Sequence, residues 1–497
     1  MFEEKILLPL INTITRFADR KSFCINEHFY TYKDFAKHIA GIKAALQSTA
    51  STSKRIGLVI NDDIETYASI FAIWLEGFAY VPLHPGQPSE RNAEIILQAE
   101  IELILDSSKK INFDGVKIIT VTEFPHEVAS LTIKNTPGEE LAYILFTSGS
   151  TGKPKGVPIT RNNLAEFMQA FWDTGIEITE NDRCLQGYEM TFDLSIQSYL
   201  VPLLKGACTY TIPPAEIKYS YLFGLLEDHQ LTFLPLPPSL IRFLRPYFKE
   251  INFECVRNVI LGAEASQVEL ISEWSKCVPK ADIYNFYGPT EATIYCIYSK
   301  FNRIGNTKNI NGLMFIGKPM NGINAIVADE LNNVLPTGIK GELCVSGKQL
   351  TSGYLNNPEK NAQVFFEIER DGKSERFYRT GELSFKDTEG DVMYGGRLDY
   401  QVKVQGYRIE LGEIEFHSRA FLSGKNAVAV TFENKLQNIE IALFIESESF
   451  STNDIIEYLK SKIPYYMIPT KIFFDKELPL NSSGKIDRNT LQKSILF

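Results

Sequence analysis

The sequence predicts an α/β protein with a large N-terminal part and a small α+β C-terminal domain. In residues 1–300, strand-like apolar runs alternate with helical patterns, which predicts two α/β subdomains. From about Gly312 the chain changes to short strands and Gly/Pro turns, which predicts a small β-barrel-like subdomain. A separate α+β pattern begins after Asp399 and is long enough for its own domain.

Composition indicates a globular protein with several cores. Of the 497 residues, 44% are hydrophobic and 23% charged. The net charge of −10 argues against nucleic-acid and anionic-membrane partners. Seven scattered cysteines without a CxxC pair predict reduced thiols packed as small hydrophobic groups. With no signal-peptide pattern and no apolar run of membrane length, we expect a soluble, cytoplasmic protein without a membrane partner.

The first α/β subdomain begins with a predicted βαβ unit. Residues 55–60, RIGLVI, form a continuous apolar run typical of a buried parallel strand. A helix is predicted over residues 64–75 and a second strand over residues 79–83. Further strands are predicted over residues 101–105, 117–120 and 142–146, and a helical stripe is formed by Phe35, Ile39, Ile42 and Leu46.

A polar loop at residues 147–156 interrupts this pattern. It reads TSGSTGKPKG, and its hydroxyls, glycines and lysines are groups that surround a polyphosphate. It is neither a Walker A loop nor a GxGxxG turn, and composition alone leaves a flexible linker as an equal alternative. Thr160 is predicted to cap a helix that ends near Gly175, which would place the loop between a strand and a helix N-terminus.

Two further stretches place polar groups in apolar surroundings. Asp193, in TFDLSIQSYL, must face solvent, meet a cation or cap a helix that begins at Leu194. The stretch NFYGPTE offers the aromatic ring of Tyr287, the hydroxyl of Thr290 and the carboxylate of Glu291. These groups suit adenine stacking, phosphate contact and Mg²⁺ coordination, although the stretch alone would be a surface turn.

The remaining elements follow the same kinds of pattern. Strands are predicted over residues 231–236, 256–261 and 282–286 of the second α/β subdomain. In the C-terminal domain, strands are predicted over residues 401–404, 427–432 and 471–474 and a helix over residues 453–461. Near the end, Lys485 lies on a Gly/Ser loop, where a lone lysine is usually solvated.

Four segments together resemble the signature of the adenylate-forming superfamily. They are TSGSTGKPKG, NFYGPTE, YRTGEL with GRLDYQVKVQGYRIELGEIE, and NSSGKIDR, and they occur in the family's order across essentially the whole chain. The superfamily includes acyl-CoA synthetases, luciferases and the amino-acid adenylation domains of nonribosomal peptide synthetases. The sequence is most similar to the amino-acid branch, which includes the free-standing D-alanine:carrier-protein ligases.

The resemblance implies two domains and a role for each matched residue. Residues 1–397 would be the adenylation core and residues 398–497 a C-terminal lid, joined at the hinge Asp399. Glu382 stands where the family usually has a ribose-binding Asp, and its extra methylene changes the ribose geometry. The ATP-binding residues would be Thr147, Ser148, Gly149, Ser150, Thr151, Gly152, Lys153, Lys155, Asn285, Tyr287, Glu382 and Arg397.

The implied catalytic residues are Lys485, Thr290 and Glu291. Thr290 would contact the α-phosphate, Glu291 would bind Mg²⁺, and Lys485 would bridge the substrate carboxylate and the α-phosphate. Asp193, in the motif FDLS, would pair with the α-ammonium of an amino acid. The pocket would also be lined by Leu194, Gln197, Val259, Leu261, Gly262, Phe286, Ile294 and Tyr295, with residues 235–237 nearby.

The implied reaction is ATP-dependent formation of an aminoacyl-AMP with release of pyrophosphate. The aminoacyl group would then pass to the phosphopantetheine thiol of a separate carrier protein. The bulk of Phe286 and Tyr295 suggests a small or medium, uncharged amino acid. A carboxylate–CoA ligase for acyl or aryl acids and a catalytically silent binding protein are the alternatives.

Overall fold

A computed structural model describes residues 1–49, 51–108, 113, 115–122, 131–149, 152–214, 216–370, 372–447, 450–481 and 486–495. Their contacts divide the chain into two compact units. Unit 1 consists of Met1–Pro85, Ile96–Leu145 and Gly156–Leu398, and unit 2 of Gly86–Ile95, Phe146–Lys155 and Asp399–Phe497. Asp399 is the first residue of the last segment of unit 2. Its role as a hinge, like the domain division at residue 397, stays a prediction.

The described residues form thirteen α-helices and twenty-seven strands. The helices are α1 Leu8–Arg16, α2 Tyr32–Gln47, α3 Ile64–Leu75, α4 Ser89–Gln98, α5 Arg161–Trp172, α6 Leu194–Leu203, α7 Lys218–His229, α8 Pro238–Leu244, α9 Val268–Cys277, α10 Pro358–Val364, α11 Leu411–Phe421, α12 Thr452–Lys460 and α13 Arg488–Lys493. No helix in the described part of the chain is both long enough and apolar enough to cross a membrane.

The strands run through both units. They are β1 Lys21–Ile25, β2 His28–Thr31, β3 Arg55–Val59, β4 Ala79–Leu83, β5 Leu103–Asp106, β6 Lys117–Thr120, β7 Leu141–Thr147, β8 Lys155–Thr160, β9 Arg183–Gln186, β10 Cys208–Thr211, β11 Phe233–Leu236, β12 Asn258–Leu261, β13 Asp282–Tyr287, β14 Ile297–Lys300, β15 Asn309–Ile310, β16 Leu313–Met314, β17 Lys318–Pro319, β18 Ile323–Ala328, β19 Gly341–Gly347, β20 Phe365–Arg370, β21 Lys373–Lys386, β22 Val392–Arg397, β23 Gln401–Val404, β24 Tyr407–Glu410, β25 Ala427–Glu433, β26 Ile439–Glu446 and β27 Lys471–Asp475.

The first α/β subdomain is built on a six-stranded sheet with the order β6-β5-β3-β4-β7-β8. The predicted βαβ unit is confirmed, because β3 and β4 pair in parallel on either side of α3 in the chain. Both strands are almost wholly buried, which explains their continuous apolar runs. The stripe of Phe35, Ile39, Ile42 and Leu46 is buried on α2, which Thr31 and Asp34 begin with a capping box.

The polar loop is followed by a strand, not by a helix. We predicted that the loop leads into a helix N-terminus, and this prediction is wrong because β8 comes between the loop and α5. Val157 and Ile159 of β8 are fully buried, so the residues after the loop complete the sheet first. Thr160 does cap α5, as predicted, through a capping box with Asn163.

The second α/β subdomain is built on a nine-stranded sheet with the order β17-β14-β13-β12-β11-β9-β10-β1-β2. Its central strands β11, β12 and β13 are parallel, as the predicted alternation of strands and helices requires. Side chains alternate across β12: Ile260 packs in the first hydrophobic core, whereas Val259 and Leu261 pack in the second. The two faces of this sheet therefore contribute to different cores.

The later elements complete both units. The region predicted as a small β-barrel-like subdomain is an antiparallel sheet of β18, β19, β21, β20 and β22 in unit 1. Unit 2 contains the hairpin β23–β24 and a three-stranded sheet, β25-β26-β27, against which α11 and α13 pack. All seven cysteines are free thiols, and six of them are buried, as the sequence predicts.

Candidate functional site

Tyr287, Glu382 and Arg397, which we call the nucleoside cluster, lie together in unit 1. Glu382 on β21 is the cross-strand partner of Arg397 on β22, and Arg397 Nη1 donates to Glu382 Oε1 at 2.6 Å. Burial raises the pKa of Tyr287 well above its ordinary value, the charge of Glu382 raises it further, and Arg397 lowers it. The phenol therefore lies close to both members of the ion pair.

One carboxylate oxygen of Glu382 makes no hydrogen bond to the described residues. Glu382 is only 2% exposed, and its Oε2 has no hydrogen-bond partner among the described residues. A buried acceptor without a donor costs about 1–3 kcal/mol. A ribose offers hydroxyl donors, so the cluster fits the sugar of a nucleotide beside the ring of Tyr287.

Asn285, which we predicted as an ATP-binding residue, makes hydrogen bonds within unit 1. Its Oδ1 accepts from Ser266 Oγ at 2.9 Å, and its Nδ2 donates to the carbonyl of Phe315 at 3.0 Å. Both polar atoms of the amide are therefore engaged. Its role in ATP binding stays a prediction, in which the amide keeps its hydrogen bonds to Ser266 and Phe315 and contacts the adenine only through its surface.

Thr290 and Glu291 begin a short 3₁₀-helix, Thr290–Ala292, immediately after Pro289. Thr290 is half-buried, whereas Glu291 is fully buried and its Oε1 accepts from the hydroxyl of Tyr354 at 2.6 Å. Carboxylate oxygens are suitable ligands for Mg²⁺, which usually takes one or two of them together with water and phosphate oxygens. Glu291 could therefore supply one carboxylate ligand to Mg²⁺.

The backbone after this helix is strained. Thr293 and Ile294 have φ values of +57° and +71°, which β-branched residues rarely adopt. Such residues cost of order 1–3 kcal/mol each and cluster at functional sites. A Cβ on Gly288 would lie 2.4 Å from the carbonyl oxygen of Ile294, so only glycine fits there. The sequence signal that could have shown this is the Gly-Pro turn itself, which we took only as a turn.

The strained segment leads to Tyr295, which lies in a cluster of buried aromatic side chains. The ring centroids of Phe286 and Tyr295 are 4.9 Å apart. A Cβ on Gly262 would lie 2.6 Å from the Tyr295 hydroxyl oxygen, so the absence of a side chain there makes room for this ring. The predicted pocket residues Gly262, Phe286, Ile294 and Tyr295 are therefore brought together.

Asp193 lies among tyrosines of this region. Burial raises the pKa of Tyr80, Tyr143 and Tyr295, and the negative charge of Asp193 raises each of them further. Asp193 is only 5% exposed, so the solvent-facing alternative is wrong. The capping alternative is also wrong, because the residue has helical φ and ψ and makes no side-chain capping hydrogen bond. The cation alternative stays a prediction.

Gln197 follows Asp193 one helical turn later on α6. It is fully buried, and neither Oε1 nor Nε2 has a hydrogen-bond partner among the described residues. Residues four apart lie on the same face of a helix, so the carboxylate and the amide face the same side. A buried amide without partners is costly unless a ligand or water completes its hydrogen bonds.

Two predicted pocket residues are not brought together with the rest. Val259 and Leu261 pack in the second core, whereas Leu194, Phe286, Ile294 and Tyr295 belong to the first. Ile260, which we did not predict, is the residue of β12 that shares their core. The two-residue period of a strand could have indicated this, because Phe286 and Ile260 lie on the same face of the sheet.

The described residues of the phosphate loop, the loop predicted over residues 147–156, are residues 147–149 and 152–155 in unit 2 and residue 156 in unit 1. A Cβ on Gly149 would lie 2.0 Å from the carbonyl oxygen of Lys153, so this glycine is required by the close approach of the backbone. The backbone N–H of Gly149 donates to Glu413 Oε2 at 3.1 Å, and Arg91 Nη1 pairs with Glu413 Oε1 at 2.5 Å. The Arg91 and Glu413 side chains are 5% and 0% exposed.

Other loop groups are also held by unit 2. Ser148 Oγ donates to the carbonyl of Arg408 at 3.2 Å, and Lys155 Nζ lies 3.4 Å from Glu410 Oε1. Lys153 pairs with Glu94 at 3.1 Å. Sequence reasoning missed Arg91, Glu410 and Glu413 as neighbours of the loop, because they lie far from it in the chain. Among the predicted site residues, Ser150, Thr151 and Lys485 lie outside the described residues.

Comparisons with known proteins place this geometry in a family. The chain matches the family described as AMP-binding enzyme over residues 12–355. It is 30% identical to zwittermicin A synthase ZmaJ of Bacillus cereus over 510 residues, which cover 99% of this chain and 94% of that protein. It is 29% identical to tyrocidine synthase 1 of Brevibacillus parabrevis over 486 residues, or 96% of this chain. That second alignment covers 44% of the synthase, so the chain spans less than half the length of this larger relative.

Solved structures agree with this relationship at the level of the fold. The adenylation domain AlmE of Vibrio cholerae, in complex with glycyl-adenosine-5'-phosphate, superposes with a TM-score of 0.85 at 23% identity, over 98% of this chain and 97% of that one. NpsA-ThdA of Klebsiella oxytoca, an artificially fused adenylation–PCP didomain, gives a TM-score of 0.82 at 22% identity, over 94% and 93%. The chain belongs to the AMP-binding enzyme family, within the adenylate-forming superfamily.

Proposed function

We propose that this protein uses ATP to convert an amino acid to an aminoacyl-AMP with release of pyrophosphate. The aminoacyl group is then transferred to the phosphopantetheine thiol of a separate carrier protein. The observation that carries the proposal is the pair Asp193 and Gln197, a buried carboxylate and a buried, unsatisfied amide on one face of α6. Both are polar groups that a ligand with an amine and a carboxylate can engage.

The nucleotide half of the proposal rests on the nucleoside cluster. Adenylate-forming enzymes use ATP, and Glu382 Oε2 is a buried acceptor that the described residues do not satisfy. The ribose hydroxyls would donate to it, Arg397 would hold Glu382 in place, and the ring of Tyr287 would pack against the nucleoside. Glu382 thus performs the role usually given to an aspartate in this family.

The amino-acid half rests on charge. A buried carboxylate is favourable only when a cation or several donors compensate it. In our proposal, Asp193 binds the α-ammonium of the substrate, and Gln197 offers both a donor and an acceptor to the rest of the substrate. Tyr295 and Phe286 limit the length of the pocket, which favours a small or medium, uncharged amino acid.

The chemical step brings two anions together, because the substrate carboxylate attacks the α-phosphate. Preorganised positive charge is the main way to lower such a barrier. We assign this charge to Lys485 and to the lysines of the phosphate loop, and Thr290 to contact with the α-phosphate. Mg²⁺ held by Glu291 would neutralise phosphate charge when bound.

The second half-reaction needs a thiol acceptor. A carrier protein is supported by the fold likeness to the adenylation–PCP didomain NpsA-ThdA. We assign Asp399 as the hinge at which the C-terminal domain turns between the two half-reactions. A carboxylate–CoA ligase of the same superfamily would instead use free CoA and would have no substrate amine to pair with Asp193.

ATP–pyrophosphate exchange across a panel of D- and L-amino acids tests the proposal. We expect exchange with at least one amino acid and none with its des-amino analogue. The substitution Asp193→Asn keeps the size of the side chain and removes its charge. We expect it to lower exchange by about 100-fold or more, because a buried ammonium left without its carboxylate partner costs about 3–5 kcal/mol. Exchange that depends on an acyl or aryl acid, and is unaffected by Asp193→Asn, would support the CoA ligase instead.

A further inference from the structure

A cluster of metal-ligating side chains lies in unit 1 outside the residues assigned to nucleotide and substrate. It consists of Cys24, Glu27 and His229, and one possible ligand atom from each lies within 4.8 Å of the other two. Cys24 is near the end of β1, Glu27 is in the turn to β2, and His229 is the last residue of α7. His229 Nε2 and Glu27 Oε2 are 2.9 Å apart although the residues are 202 positions apart in the chain.

The turn that presents Glu27 is unusual for its sequence. Asn26 and Glu27 have φ values of +50° and +61° and join two strands in which Ile25 faces His28. A two-residue hairpin with two positive φ values favours Asn followed by Gly. A non-glycine residue in the left-handed region is strained by contact between its Cβ and the backbone. Glu27 adopts this strained conformation, which places its carboxylate within hydrogen-bonding distance of His229.

Neighbouring groups orient the three side chains. The hydroxyl of Tyr221 donates to Glu27 Oε1 at 3.0 Å, which fixes the carboxylate from the side opposite His229 Nε2. The ring of His229 packs against Tyr210 at 5.1 Å and against Phe29 at 5.8 Å between centroids. Outer groups of this kind hold metal ligands in position in known metal sites.

We propose that Cys24, Glu27 and His229 form a Zn²⁺ site. A thiolate, an imidazole and a carboxylate are ligands that zinc accepts, and three protein ligands leave the fourth tetrahedral position for water. The charges of a thiolate and a carboxylate balance the divalent cation. The Glu27 side chain is 60% exposed and the His229 side chain 18%, so the ion reaches the site from solvent, while Cys24 closes the inner side.

Coordination is coupled to loss of one proton. The S–H proton is released to solvent when the Zn–S bond forms, because the thiolate is the form that binds the metal.

The site connects the β1–β2 hairpin to the C-terminal end of α7. A ligand that binds only the folded protein stabilises it by RT ln(1 + [L]/Kd), which is about 2.7 kcal/mol at a concentration of 100 Kd. Zinc binding therefore stabilises this corner of unit 1. Its binding does not depend on the proposed amino-acid activation, so each proposal can fail without the other.

Metal analysis of the full-length protein tests the site. The protein is treated with a chelator, dialysed against a low concentration of Zn²⁺ and assayed for bound zinc, and we expect one equivalent per chain with an increase in Tm. In a parallel sample Co²⁺ replaces Zn²⁺, and we expect a sulfur-to-cobalt charge-transfer absorption, which reports a thiolate ligand. Protein that retains no zinc, or cobalt bound without this absorption, would overturn the proposal.

Single substitutions identify the ligands. Glu27→Gln and His229→Gln are in half-buried or exposed positions, and we expect each to weaken zinc binding at least tenfold and to reduce the zinc-dependent increase in Tm. Cys24→Ser should also abolish the charge-transfer absorption. Cys255→Ser is the matched control, because Cys255 is an exposed free thiol close to Gln230. Loss of zinc binding only in Cys255→Ser would mean adventitious binding at that thiol and would contradict the assignment.

Discussion

The nucleoside cluster of unit 1 and the phosphate loop of unit 2 differ in how their polar groups are used. In the nucleoside cluster, Glu382 is fixed by Arg397 and one of its oxygens remains without a partner in the described structure. In the phosphate loop, the N–H of Gly149 already donates to the carboxylate of Glu413. In the cluster an acceptor oxygen of Glu382 is left for a ligand, whereas in the loop the N–H donor of Gly149 already bonds to Glu413.

This difference has a simple electrostatic reason. Carboxylate and phosphate oxygens both accept hydrogen bonds from backbone N–H groups and lysines. Glu413 at Gly149 and Glu410 at Lys155 occupy donors that a polyphosphate would use. Under our proposal, ligand binding therefore adds hydrogen bonds at the cluster, whereas phosphate binding at the loop replaces existing ones. Substitutions that separate these two cases follow, from the largest expected effect to the smallest.

The largest effect is expected for Arg397→Met. The substitution keeps an apolar chain of similar length but leaves the Glu382 carboxylate buried without its cation. Removing one partner of a buried ion pair costs about 3–5 kcal/mol, so we expect a loss of unfolding free energy of this size in urea titrations. Lys54→Met is the matched control, because the Lys54–Glu140 pair is largely exposed and its loss costs at most about 1 kcal/mol. Equal losses in the two variants would contradict our account of the cluster.

A smaller effect is expected for Glu382→Gln, which keeps the shape of the side chain and removes its charge. Hydrogen bonds to a charged group contribute about 1.5–3 kcal/mol, so we expect AMP and ATP to bind roughly 10- to 100-fold more weakly. Isothermal titration calorimetry measures both affinities. Glu382→Asp restores the usual carboxylate and should retain binding. If 2'-deoxy- and 3'-deoxy-AMP lose no affinity in the wild-type protein, Glu382 does not contact the ribose.

Glu413→Gln should change affinity in the opposite direction. Its one amide oxygen can still accept from Gly149 or from Arg91, but not from both, and as an uncharged group it competes less well with phosphate for these donors. An ordinary hydrogen bond contributes about 0.5–1.5 kcal/mol, so we expect pyrophosphate to bind about 2- to 10-fold more tightly. Competition against a fluorescent ATP analogue measures this. The substitution also leaves Arg91 buried without its ion-pair partner, so pyrophosphate binding is compared only after urea titrations show that the variant is folded. Weaker binding of pyrophosphate to the folded variant would mean that Glu413 supports the loop and does not compete with the ligand.

The smallest effect on stability is expected for Lys153→Met. The Lys153 side chain is 73% exposed and pairs with Glu94 at the surface, where ion pairs contribute about 0–1 kcal/mol. We expect an unchanged unfolding free energy together with weaker binding of ATP. A loss of stability as large as that of Arg397→Met would show that the loop lysine has a structural role instead.

Much of the fold could be predicted from local patterns. The run RIGLVI correctly predicted β3, because a strand that is buried on both faces is apolar at nearly every position. The helix after Thr160 was equally clear, since a cap, a periodic stripe and a stop are all local signals. The strand β8 was missed because its six residues follow a loop and contain a proline, so the sequence pattern is short.

The residues of the candidate site could be predicted only where they belong to a sequence motif. Local reasoning left the position of Asp193 open, and the structure shows that it is buried among tyrosines that come from other parts of the chain. The contacts of Glu413 with Gly149 and Arg91 join segments far apart in sequence, so no local signal could have shown them. The strain at Ile294 is likewise a tertiary property of the backbone.

The most direct test of the central claim uses two stable analogues of the proposed intermediate. One is an aminoacyl-sulfamoyl adenosine, and the other is the same molecule without its α-amino group. We predict that the wild-type protein binds the first at least about 100-fold more tightly, since the amine meets a buried carboxylate, and that Asp193→Asn removes this difference. Equal affinities of the two analogues for the wild-type protein would contradict amino-acid activation by this chain.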